Sequence, residues 1–118
     1  LGGAIGSVLR YLVAIAITHR FGHEFPYGTL LVNLSGSFLI GALAQFLLRH
    51  PADVSTFLRV LLIVGVLGGY TTFSSFSYEN LGLLTDGRLA LALAYAAGSV
   101  VAGTAAAYAG MSLIRLLS

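Results

Sequence analysis

The chain has 118 residues, 58% of them apolar and only 8% charged, with a mean hydropathy of +0.94. Soluble domains carry about 25% charged residues, so a soluble domain is excluded and an integral membrane protein is expected. The net charge of +2 rests on six arginines and is too small to point to nucleic acid, and the lack of cysteine excludes disulfides and thiolate chemistry.

A span needs about 20 apolar residues, so residues 1–118 accommodate four spans with short loops in a single transmembrane domain, with membrane lipid as its surroundings. Residue 1 is Leu at the edge of an apolar run, so the natural N-terminus is expected upstream. The first span is expected over 2–18. Gly2, Gly3 and Gly6 give it a flat face for close helix contact. Arg10 falls inside it. A charge within a span either snorkels to the interface or faces protein or water, where it would make an electropositive vestibule for anions.

Residues 19–28 read as a loop. His19 and His23 are spaced i, i+4 there, but no further ligand lies nearby, so a metal site is not expected. The second span is expected over 29–48. Thr29, Asn33 and Ser37 stand four apart and share one face, with Gly36 and Gly41 flanking them. Asn33 brings two donors and an acceptor into an apolar segment. It serves either an interhelical hydrogen bond or a polar path.

After a loop over 49–56, the third span starts near Val54. Its apolar run ends in Gly68-Gly69-Tyr70-Thr71-Thr72-Phe73-Ser74-Ser75-Phe76-Ser77-Tyr78-Glu79. Each glycine costs a helix interior about 1 kcal/mol, and hydroxyl side chains compete for backbone partners. A broken helix is expected, with the break near 69–72 and a second half-helix over 72–84. Free backbone groups in a bilayer are tolerated only in protein or beside an aqueous space, so the break is either a packing device or a site. The carbonyls of Gly68 and Thr71, at the negative end of the first half-helix, suit a small hard cation such as Na⁺. Phe73 and Phe76, three apart, project from one side and offer positive ring edges to an anion. Ser75 and Glu79 lie on a neighbouring line.

Thr85 to Arg88 reads as a turn. The fourth span, over 89–116, carries Tyr95 and Ser99 on one face, with Gly98, Gly103 and Gly110 for close packing. Arg49, Arg59 and Arg115 fall on one side of the membrane, Arg20 and Arg88 on the other. That is almost no bias, and charge bias sets orientation, so the chain is able to insert both ways. Two copies then form an antiparallel pair with a two-fold axis in the membrane plane.

The chain resembles the Fluc/CrcB family of small fluoride channels. The resemblance is carried by Gly2-Gly3-Ala4-Ile5-Gly6 with Arg10, by Gly28-Thr29-Leu30-Leu31-Val32-Asn33-Leu34, and by the stretch from Gly68 to Ser77 with Glu79. Ser75 stands where the family commonly has Thr, and Gly103 where some members carry a hydroxyl. The resemblance implies an all-α membrane protein with four transmembrane helices and a broken third helix. It also implies an antiparallel, dual-topology homodimer that passively exports fluoride from the bacterial cytoplasm through two pores in the inner membrane. It implies Phe73 and Phe76 as ring-edge ligands, Asn33 as pore lining, and Ser74, Ser75, Thr29, Tyr95 and Ser99 as a polar track. It further implies Na⁺ held by the Gly68 and Thr71 carbonyls. Arg10 and Glu79 match recurrent positions without an assigned role. The competing class is a small dual-topology, proton-coupled exporter of organic cations, with Glu79 as its carboxylate. No nucleophile, base and orienting group cluster as in an enzyme.

Overall fold

A computed structural model describes residues 1–22, 25–48, 51 and 56–117. His23, Arg49 and the expected start of the third span at Val54 lie outside the described residues. Among the described residues all regular structure is helical, and four segments are long and apolar enough to cross a membrane.

Helix α1 is Gly2–Phe21. It outruns the expected end at residue 18 because the polar pair His19 and Arg20 does not stop a helix. Gly22 does: at φ +86° it leaves the helical region, and its N–H closes on the Thr18 carbonyl at 2.8 Å. Helix α2 is Tyr27–Leu47. Pro26 lacks an N–H, so it starts a helix without leaving a donor unmet, and its carbonyl accepts from Leu30 N–H at 3.1 Å.

The third span, Thr56–Thr85, is interrupted. Its first half, α3, winds as π-helix over Arg59–Leu67 and tightens to one α-turn over Gly68–Tyr70. Such wide turns are rare and recur at functional sites. Thr71 (φ −81°, ψ 156°) and Thr72 (φ −152°, ψ 121°) are extended, and α4 follows as Phe73–Thr85. The glycine pair is itself helical, so the interruption is set by the two threonines. Thr72 caps α4, its Oγ1 accepting from Ser75 N–H at 3.1 Å. At the far end Gly87 (φ +76°) lets Arg88 N–H reach back to the Leu83 carbonyl at 2.8 Å, turning the chain into α5, Leu89–Leu116.

Two close pairings hold the bundle. Helix α1 runs parallel to α3: Gly2 meets Leu61 and Gly65, while Gly6 meets Val66 and Tyr70. A Cβ at Gly6 would overlap the Val66 carbonyl. Helices α2 and α5 run antiparallel in the broadest contact of the fold, with Gly41 against Ala107 and Gly110 against Phe38. Gly98, expected to aid such packing, faces open space. The buried core is thin, built on Val32, Leu47, Leu67, Leu83, Ala92 and Tyr95. Many large apolar side chains point outward, as lipid contact requires.

Candidate functional site

The interruption is held from α2. Asn33 Nδ2 donates to the Thr72 carbonyl at 3.1 Å, and Thr72 N–H donates to Asn33 Oδ1 at 2.8 Å. One side-chain amide thus pairs both the N–H and the carbonyl of Thr72. The next residues of α2 add further grips. Ser35 Oγ lies 2.9 Å from Tyr70 Oη, and the missing side chain of Gly36 admits the Thr71 methyl. The Thr71 hydroxyl donates back to the Leu67 carbonyl at 3.0 Å.

These bonds turn two N–H donors away from the end of α3. In an unbroken α-helix, Thr72 N–H would serve the Gly68 carbonyl and Ser75 N–H the Thr71 carbonyl. Both donors point elsewhere, to Asn33 Oδ1 and Thr72 Oγ1. Gly68 and Thr71 therefore present carbonyls without their helical donors at the C-terminal, negative end of α3. That chemistry fits a hard monovalent cation. Two oxygens from one chain fall short of a full shell, and a two-fold copy would double them.

Beside the interruption lies a cavity of about 280 Å³, lined by Asn33, Ser37, Ile40, Thr71, Thr72, Phe73, Phe76, Ser99 and Val100. Its polar groups are hydroxyls and one amide, and no charged side chain lines it. Asn33 keeps a second N–H beyond the one on Thr72. The rings of Phe73 and Phe76 lie 5.6 Å apart at 40°. Phe76 packs inward on the core, whereas Phe73 is 79% exposed although it sits at mid-span.

From Phe76 the contacts lead towards one end of the bundle. Its ring lies 4.8 Å from that of buried Tyr95, whose other neighbour is Phe25 at 5.3 Å, edge to face. Tyr95 Oη donates to Glu79 Oε1 at 3.2 Å, with buried Thr29 beside both groups. Glu79 in turn lines a cavity of about 620 Å³ at that end, with Thr18, Asp86 and Arg88 among its other walls. Towards the other end, the α2–α5 groove opens into a cavity of about 490 Å³ that reaches Arg59, Thr104 and Arg115. Arg115 Nε donates there to Gln45 Oε1 at 3.2 Å. The three cavities thus follow one another along the bundle, with the hydroxyl-lined one between the two mouths.

Asn33, Phe73, Phe76 and Ser99 line the middle cavity together with Thr71, and Thr29, Glu79 and Tyr95 form the cluster towards one mouth. Ser74 and Ser75 stand apart from both. The Ser74 hydroxyl lies 3.2 Å from Thr72 Oγ1 on the exposed side, and Ser75 contributes its N–H to the helix cap. Arg10 does not sit at a helix end. It lies about 12 Å from the start of α1 and about 16 Å from its end, one turn beyond Gly6, which packs on Tyr70. It is therefore level with the interruption, and its Nε is buried without a hydrogen-bond partner among the described residues. Sequence reasoning missed Phe25, Ser35 and Thr72 as parts of the site. The capping preference of Thr was a signal for the last, and the aromatic and hydroxyl contacts of the others needed the fold.

The family model described as "CrcB-like protein, Camphor Resistance (CrcB)" matches residues 1–111. The chain belongs to the CrcB-like family. It is 52% identical over 116 residues to a Rhizobium meliloti protein called fluoride-specific ion channel FluC, covering 98% of this chain and 92% of that one. Proteins of the same name from Anaeromyxobacter dehalogenans and Agrobacterium fabrum are 49% and 48% identical, over 118 and 116 residues. The alignments cover 100% and 98% of this chain and 93% and 92% of those relatives. In this CrcB-like chain the third-span motif builds the interruption, the aromatic pair and one wall of the middle cavity, while α2 and α5 supply the rest.

Proposed function

We propose that this CrcB-like protein is a fluoride channel of the bacterial inner membrane. It conducts passively as an antiparallel homodimer of oppositely inserted copies. The observation that carries the reading is the middle cavity, polar yet without a charged wall. Fluoride accepts hydrogen bonds strongly, and its water must be replaced by donors along the whole route. The Asn33 amide, the Ser37, Thr72 and Ser99 hydroxyls and the Phe73 and Phe76 ring edges offer such replacements. A fixed cation in the cavity wall would hold the ion too tightly, since conduction requires weak binding at several sites.

The dimer is supported by what one chain leaves open. Phe73 presents most of its ring to the outside at mid-span, and the middle cavity is a groove on the surface of the bundle rather than a tunnel through it. A second copy closes both grooves, giving two lanes. Na⁺ belongs at the two-fold axis, between Gly68 and Thr71 carbonyls from both copies, where it fixes the crossing of the two interruptions. The role is structural, and no transport step passes through the ion.

An exporter of organic cations needs a carboxylate that exchanges protons freely within the membrane. Glu79 is the sole acid of the described spans, and it already accepts from Tyr95. The deciding experiment is ion efflux from proteoliposomes holding the purified protein. Rapid fluoride efflux, with chloride retained and no dependence on a proton gradient, is expected. Absent fluoride efflux, or cation uptake driven by protons and abolished by Glu79→Gln, would replace this reading.

A further inference from the structure

We propose that Asn33 is a positioning residue for the cation site, and that it creates that site by drawing the Thr72 N–H away from the Gly68 carbonyl. The inference rests on the cation reading above and assigns it a cause. A residue whose N–H and carbonyl both pair with one partner is the arrangement of neighbouring antiparallel strands, and Thr72 has the extended dihedrals that go with it. Once Thr72 is extended, its side chain can swing to cap Ser75 N–H, which removes the donor of the Thr71 carbonyl as well. A single two-point contact from α2 therefore exposes both oxygens.

No other residue of α2 duplicates it. Ser35 pairs with the Tyr70 hydroxyl and its own helix's Val32 carbonyl, and Gly36 makes room for the Thr71 methyl and the Tyr70 ring. Without the amide, the Thr72 N–H would be unpaired inside the membrane, which is costly. The nearest acceptor that restores it is the Gly68 carbonyl, one helical turn back. Removing Asn33 thus heals the helix and closes the cation site. The same side chain also lines the middle cavity, so the cation site and the anion lane share one support.

The test is thermal unfolding of the purified protein in detergent, titrating Na⁺ against N-methylglucamine at constant ionic strength. The wild-type melting temperature is expected to rise with Na⁺. If it does not, the cation reading itself fails, whatever the role of Asn33. For Asn33→Leu the half-saturating Na⁺ concentration is expected to rise at least about tenfold, the equivalent of about 1.4 kcal/mol. An unchanged value alongside a normal wild-type response overturns the inference and leaves the cation reading intact. Asn33→Asp provides a second arm should the leucine variant not fold. A protonated carboxyl both donates and accepts, as the amide does, whereas a carboxylate only accepts. Its Na⁺ response is therefore expected to be weak at high pH and to recover as pH falls, while the wild-type response stays level. A wild-type-like response at high pH, or none at any pH, overturns the two-bond account.

Discussion

The two halves of the third span solve opposite problems. Helix α3 is apolar and lies so close to α1 that backbone meets backbone at Gly2, Gly6 and Gly69. Helix α4 begins with hydroxyls and aromatic rings, packs on α5 mainly through Phe76 and Leu83, and leaves Phe73 uncovered. The first half is fastened within its own chain. The second presents the surface on which the proposed second copy would sit. Close packing therefore concentrates before the interruption and the cavity-lining rings after it, with Asn33 pinning the junction.

The contrast breaks most severely at Gly6. A Cβ there would overlap the Val66 carbonyl, and backbone cannot yield as a side chain does. Gly6→Leu is expected to destabilise by about 3 kcal/mol or more, at the upper end of overpacking costs. The readout is loss of the monodisperse peak in size-exclusion chromatography; a normally folded variant would show that α3 is not fastened as described. Phe76→Ile acts on the other half. It keeps an apolar side chain but removes the ring that lines the cavity. Fluoride efflux is expected to fall by about a hundredfold or more, equivalent to about 2.8 kcal/mol of barrier, while cross-linking still captures the dimer. Unchanged flux would show that α4 supplies shape rather than ring edges.

Tyr95→Phe is the mildest change, since it deletes one hydroxyl and leaves the packing of the ring on Phe76 and Phe25 in place. Glu79 loses its 3.2 Å donor, and one hydrogen bond contributes about 1 kcal/mol. Efflux is expected to drop about tenfold, with the melting temperature lowered by a few degrees at most. A large loss of stability with full flux would make the Glu79–Tyr95 pair a structural bolt instead of part of the route.

Much of this was legible in the residues because the signals are local. Apolar length reveals four spans, and paired threonines after a glycine pair mark where a helix stops. The stop falls at Thr71 and Thr72, within the expected 69–72, while Gly69, packed against Gly3, stays helical. The end of α1 was misjudged: polarity suggested a loop, whereas backbone geometry at Gly22 decided it.

Composition and spacing by themselves determined a four-span membrane protein with an interrupted third helix, because burial in lipid and hydrogen-bond competition act along the chain. Only the tertiary structure decided which atoms the interruption releases. That depended on Asn33 and Thr72, 39 positions apart, meeting across two helices, and sequence spacing does not encode such an encounter.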